Sequence, residues 1–128
     1  MDALDYTVPT DRGFDDAVAS VERAAAANGF RVLHTHDFAA TLAEKGFPRE
    51  PLTVVEICNA KYASEVLAKD VRLALMLPCP ISIYAENGRT HIGTMLPSAL
   101  TSLFPRAGIE ETAQAVEAAV IRIVEEAR

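Results

Sequence analysis

The pair Asn87-Gly88 constrains this chain more than any other feature. Both residues tolerate positive φ, and the pair is the favoured centre of a two-residue type I′ hairpin turn. Ile81 to Ala85 precedes it and Thr90 to Leu96 follows, each carrying β-branched or aromatic side chains suited to strands. Closing the strands on that turn puts Glu86 opposite Arg89, Tyr84 opposite His91 and Ile83 opposite Ile92. The isoleucines then share one face, while the tyrosine and histidine share the other. The isoleucine face needs helices over it.

The rest of the chain supplies them. Ala3 to Val8 alternates and ends at Pro9, which predicts a first strand. Phe14, Val18, Val21 and Ala25 recur at helical spacing, with Asp15 and Asp16 at the positive end of the helix dipole and Asn28-Gly29 as the stop. Phe30 to Thr35 reads as a second strand, and Asp37 caps a short helix through Phe38 and Leu42 that ends at Gly46-Phe47-Pro48. Leu52 to Cys58 is apolar and β-branched apart from Glu56, and Asn59 is placed to cap a helix running to Asp70. Pro97 to Phe104 suggests a short helical segment, and Ala113, Val116, Val120, Ile123 and Ala127 mark an amphipathic helix starting near Glu110. The order β-α-β-α-β-α-β-β-α predicts an α+β fold: two layers, with a mixed sheet of about five strands packed against helices. Strand order does not follow from this pattern. At 128 residues the whole span 1–128 is read as one domain.

Composition narrows the function classes. Half the residues are hydrophobic, so the chain can build a core without disulfide or metal staples. A net charge of -6 disfavours sequence-independent attraction to nucleic acid or to anionic membranes. Met1 to Asp5 is acidic and lacks the basic flank and apolar run of a secretory signal, which points to the cytoplasm. The longest nearly uncharged stretch, Leu73 to Tyr84, contains Pro78 and Pro80 and falls well short of the roughly 20 residues that span a bilayer. The two cysteines are read as reduced thiols in such a compartment. Neither G-x-G-x-x-G nor G-x-x-x-x-G-K-[ST] occurs, and G-x-S-x-G and H-E-x-x-H are also missing from the sequence.

The unusual residues concentrate between Glu56 and Pro97. Positions two apart on a strand share a face, so Val54, Glu56 and Cys58 point one way and Thr53, Val55 and Ile57 the other. An ionised carboxylate in an apolar strand is costly unless paired or solvated, which singles out Glu56 as a functional acid or as a residue on a wet face. Cys58 stands just before a helix N-terminus, where backbone amides favour a thiolate. Cys79, in Leu77-Pro78-Cys79-Pro80, can approach Cys58 if their strands are neighbours. His34 and His36 share a strand face in acceptable geometry for two imidazole ligands, and His91 joins them only if its strand lies nearby.

The segment Glu56-Ile57-Cys58-Asn59-Ala60-Lys61-Tyr62-Ala63, followed by Val66-Leu67, Leu75-Met76-Leu77-Pro78-Cys79-Pro80, Asn87-Gly88 and Gly93-Thr94-Met95-Leu96-Pro97, resembles the domain of unknown function 302 family. The resemblance spans nearly the whole chain. It implies a small α+β domain, often a homodimer, with no established biochemical role, and it maps the family's motif positions onto Glu56, Cys58, Asn59, Lys61, Pro78 and Cys79. Two positions depart from the pattern: Ala60 stands where the family commonly has proline, and Pro80 where it has a basic residue. Losing that base removes one source of thiolate stabilisation beside Cys79.

Three functional readings follow, with cofactors unspecified. The first is a binding module, a homodimer holding a small molecule or anion near Glu56, Cys58, Asn59, Lys61 and Cys79. The second is an enzyme with Cys58 as nucleophile or redox thiol, Glu56 as base or orienting group and Cys79 as resolving thiol. The third is a metal or haem carrier drawing on the cysteines and on His34, His36 or His91. Against all three stands a structural dimer in which these residues only pack and cap.

Overall fold

A computed structural model describes residues 4–104 and 108–128. In chain order these form β1 (Asp5–Thr10), α1 (Phe14–Ala27), β2 (Arg31–Asp37), α2 (Phe38–Glu44), β3 (Leu52–Cys58) and α3 (Ala60–Lys69). A 3-10 segment (Val71–Met76) follows, then β4 (Cys79–Glu86), β5 (Arg89–Met95), α4 (Pro97–Thr101) and α5 (Glu110–Ala127). The α+β class, the strand number and the element order are those read from the sequence.

Asn87 and Gly88 take φ values of 53° and 76° and close β4 on β5 in the register set by their turn, with Glu86 facing Arg89, Tyr84 facing His91 and Ile83 facing Ile92. The sheet order is β1-β5-β4-β3-β2, and every neighbouring pair is antiparallel. Where the alternation of strands and helices suggests a mixed sheet, the pairing is antiparallel throughout. The reason lies in where the connections land. Strands β1 and β2, which α1 joins, sit at opposite edges and form no parallel unit. The excursion through α3 and the 3-10 segment leaves at Cys58 and returns at Cys79 opposite Ile57, at the same end of the sheet, so the strand direction reverses.

Alternation along the strands then separates two faces. Val55, Ile57, Ile81, Ile83 and Ile92 are fully buried and pack with Val21, Ala25, Val120, Ile123 and Val124 of α1 and α5. Each such side chain contributes about 1.5–3 kcal/mol of burial free energy, which fixes the register, because a one-residue slip would expose the whole row. The opposite face carries Val54, Glu56, Ser82, Tyr84 and His91, all half-buried. A register shift between Val32 and His34 bulges edge strand β2 and turns Leu33 outward.

Side-chain caps hold the turns. Asp37 accepts from the Ala40 amide at 2.9 Å, and Asp70 accepts from the Arg72 amide at 2.9 Å to open the 3-10 segment. Arg12 Nε and Ser20 Oγ both donate to the carbonyl of Ala127, at 2.9 and 2.8 Å, tying the last turn of α5 to the start of α1. Among the described residues no helix is long and apolar enough to cross a membrane.

Candidate functional site

The sequence places an apolar strand end, Ile57-Cys58-Asn59, directly before α3 and an apolar 3-10 turn directly before Cys79. Folding brings these two junctions together, because β3 and β4 are neighbours. With α4 and α5 on the other side, they line a partly open cavity of about 80 Å³. Its wall is built by apolar side chains, among them Phe30, Ile57, Tyr62, Leu73 and Val116. Cys58, Asn59, Met76 and Cys79 also line it.

Asn59 orders the rim. Its Oδ1 accepts from the Tyr62 amide at 3.1 Å, and its Nδ2 donates to the Gly29 carbonyl at 3.0 Å. The side chain therefore starts α3 and ties it to the turn after α1. Both polar atoms are already satisfied by protein.

Both cysteines are free thiols, each half-buried. Burial pushes the Cys79 thiol up to about 11, and the neighbouring Cys58 adds to the rise. At pH 7 a thiol with that pKa is almost wholly protonated, so Cys79 rests as the neutral thiol. The influence of Cys58 on Cys79 reflects their placement: Cys79 pairs with Ile57, and Cys58 is the next residue along β3.

Glu56 lies elsewhere. Parity along β3 predicts that Glu56 and Cys58 share a face, but Cys58, the last residue of the strand, lines the cavity, whereas Glu56 lies on the face opposite Ile57, beside β2, where one carboxylate oxygen pairs with His36 Nε2. The structure thus brings Cys58, Asn59 and Cys79 to one cavity wall and separates Glu56 from them. Lys61 is exposed on α3 and does not line the cavity. The His34 and His36 rings approach to 4.3 Å, and Phe38 packs 5.7 Å from His36. His91 is remote from both in the sheet order; it stacks on Tyr84 at 5.1 Å, and its Nδ1 is buried with no hydrogen-bond partner among the described residues. Among the described residues no group of three His, Cys, Asp or Glu side chains is arranged to hold a metal ion.

Two features escape a reading by sequence spacing. The His36–Glu56 pair joins residues singled out separately; the β2–β3 register seats His34 opposite Glu56 and His36 opposite Val54, so the contact is a diagonal one. The apolar wall of the cavity draws on Phe30, Tyr62, Leu73, Met76 and Val116, which in sequence look like ordinary core positions.

The sequence matches the family described as Domain of unknown function DUF302 over residues 6–127. The chain belongs to this family. The crystal structure of an uncharacterized conserved protein DUF302 from Bacillus stearothermophilus is similar to this DUF302 chain with a TM-score of 0.94 and 28% sequence identity, covering 99% of this chain and 100% of that one. No curated protein matches this DUF302 chain.

Proposed function

We propose that this DUF302 chain is a single-domain cytoplasmic binding protein whose site is the cavity between the β3–β4 strand ends, α3 and α5. The observation that carries the proposal is the wall itself: about 80 Å³ lined almost entirely by apolar side chains, with two cysteines among them. Such a wall favours a small uncharged ligand. Among the described residues no charged side chain lines the cavity, Lys61 lies outside it and the side chain of Asn59 already caps α3, so an anion would lose hydration there without a counter-charge from them. An apolar cavity of about 150 Å³ can hold benzene or xenon, so a space of this smaller size suits a ligand of a few heavy atoms.

Xenon is the direct probe. In methyl-resolved NMR, dissolved xenon should shift the methyl resonances of Ile57, Val66, Leu73 and Val116 and leave those of Ile83 and Ile92 unmoved. Equal shifts across all methyls, or none at the cavity wall, would remove the proposal. The homodimer implied by the family resemblance belongs to the same reading, and a monomer mass by sedimentation velocity at working concentration would remove that part.

A further inference from the structure

We infer that Cys58, Cys79 and Met76 form a binding site for a soft monovalent metal ion of the copper(I) class. The inference goes beyond the proposed ligand cavity and stands apart from it, because the cavity can take an apolar molecule whether or not its sulfur side takes an ion. It starts from a juxtaposition: the three sulfur-bearing residues belong to three different segments, the end of β3, the start of β4 and the end of the 3-10 turn, yet all line one cavity. The β3–β4 register seats Cys79 opposite Ile57, the residue before Cys58, both cysteines line the cavity, and the 3-10 turn delivers Met76 three residues before Cys79.

Donor chemistry then selects the ion. Thiolate and thioether are soft ligands, and that combination favours copper(I) over magnesium, calcium or manganese, which need oxygen donors. Among the described residues no His, Asp or Glu lines the cavity. Zinc, with a structural site of four ligands drawn from cysteine, histidine and carboxylate, is short of donors here. Charge points the same way. A divalent ion held by two thiolates and a neutral thioether would use up both anionic ligands with its coordination unfilled, whereas a monovalent d¹⁰ ion accepts two or three sulfur donors. The apolar lining lowers the local dielectric, which strengthens the ion–sulfur attraction. Binding involves no electron transfer: copper enters already as copper(I), the thiol protons leave to solvent, and metal–sulfur bonds form. Glu56 and His36 on the far face take no part.

The test is an anaerobic titration of the reduced protein with copper(I) in competition with bicinchoninate. The expected result is one equivalent of copper withdrawn from the chelator, an ultraviolet sulfur-to-copper charge-transfer band and an X-ray absorption first shell made of sulfur. Cys58→Ser and Cys79→Ser should each weaken binding by at least about tenfold, Met76→Leu by less, and His36→Ala should change nothing. Bicinchoninate keeping all the copper, a nitrogen or oxygen first shell, or full-strength binding by the Cys58→Ser chain would overturn the inference. If Cys79→Ser loses its fold by circular dichroism, Cys58→Ser and Met76→Leu carry the comparison. A protein that binds copper(I) but gives no xenon shifts keeps this site and loses the apolar-ligand reading; the opposite pair of results does the reverse.

Discussion

Filling the cavity is the sharpest perturbation the structure offers. Ala113 lies on α5, is only 7% exposed and faces the cavity. Ala113→Leu adds three carbons at a helical position where alanine and leucine have nearly equal propensity, so the change acts through packing alone. The empty space is about 80 Å³, and at roughly 24 cal/mol per Å³ its elimination is worth about 2 kcal/mol. Three newly buried carbons at about 0.8 kcal/mol each give a similar figure. The expected outcome is therefore stabilisation with a ceiling of about 2 kcal/mol, read as a higher urea midpoint at unchanged m-value. In thermal unfolding it corresponds to a Tm rise on the order of 5–10 °C. The same variant should lose the xenon shifts at Ile57 and Val116. Destabilisation by more than about 1 kcal/mol with the xenon shifts retained would refute the reasoning, because it would show the new carbons meeting packed atoms instead of empty space.

Three further outcomes test other parts of the structure. Asn59→Ala removes both the Tyr62 cap and the Gly29 contact and should cost about 1–2 kcal/mol in urea denaturation; a loss indistinguishable from zero would show that α3 does not depend on this cap. Cys79 keeps its proton to about pH 11 in the folded protein, whereas the free thiol releases it near 9.0, so its contribution is intact below pH 9 and falls away as the pH rises toward 11, by about 2–3 kcal/mol in all. Cys79→Ala should flatten that alkaline decline, and an equally steep decline in the variant would refute the assignment. Finally, a Cβ on Gly93 would sit 2.5 Å from Thr7 Oγ1, so Gly93→Ala should cost about 1–3 kcal/mol, and Thr7→Ala should recover part of it; strict additivity in the double-mutant cycle would disprove the clash.

The local structure was readable because single residues dictate it. Asn87-Gly88 fixes a turn and hence the β4–β5 register, and Asp37 and Asn59 cap the helices that follow them. Amphipathic spacing marks α1 and α5, whose buried faces carry Val21 and Ala25 on one and Val120 and Ile123 on the other. What spacing could not supply is who sits beside whom. Antiparallel β3–β4 pairing is a long-range outcome, and it alone decides that Cys58 and Cys79 meet at one cavity. The position of Glu56 was half legible: strand parity separates it from Ile57, but the β2–β3 register seats His34 opposite it, and its side-chain partner is the diagonal neighbour His36. The 3-10 segment carries no sequence signature beyond its uncharged run, so its leucine and methionine read as generic core until the fold turns Leu73 and Met76 toward the cavity.

The sheet order has a consequence for the time course of folding during synthesis. Strand β1 finds its sole sheet partner in β5, and α1 packs on α5, whose last-turn carbonyl is held by Arg12 and Ser20. The ribosome makes residues 5–27 early, yet everything that buries them comes from residues synthesised much later, apart from the neighbouring strands that α1 covers. Closing so long a loop is entropically costly and slow relative to the β4–β5 hairpin. A nascent chain must therefore carry its first helix with an unmet apolar stripe until residues 110–127 leave the exit tunnel, a window in which a chaperone would find its target.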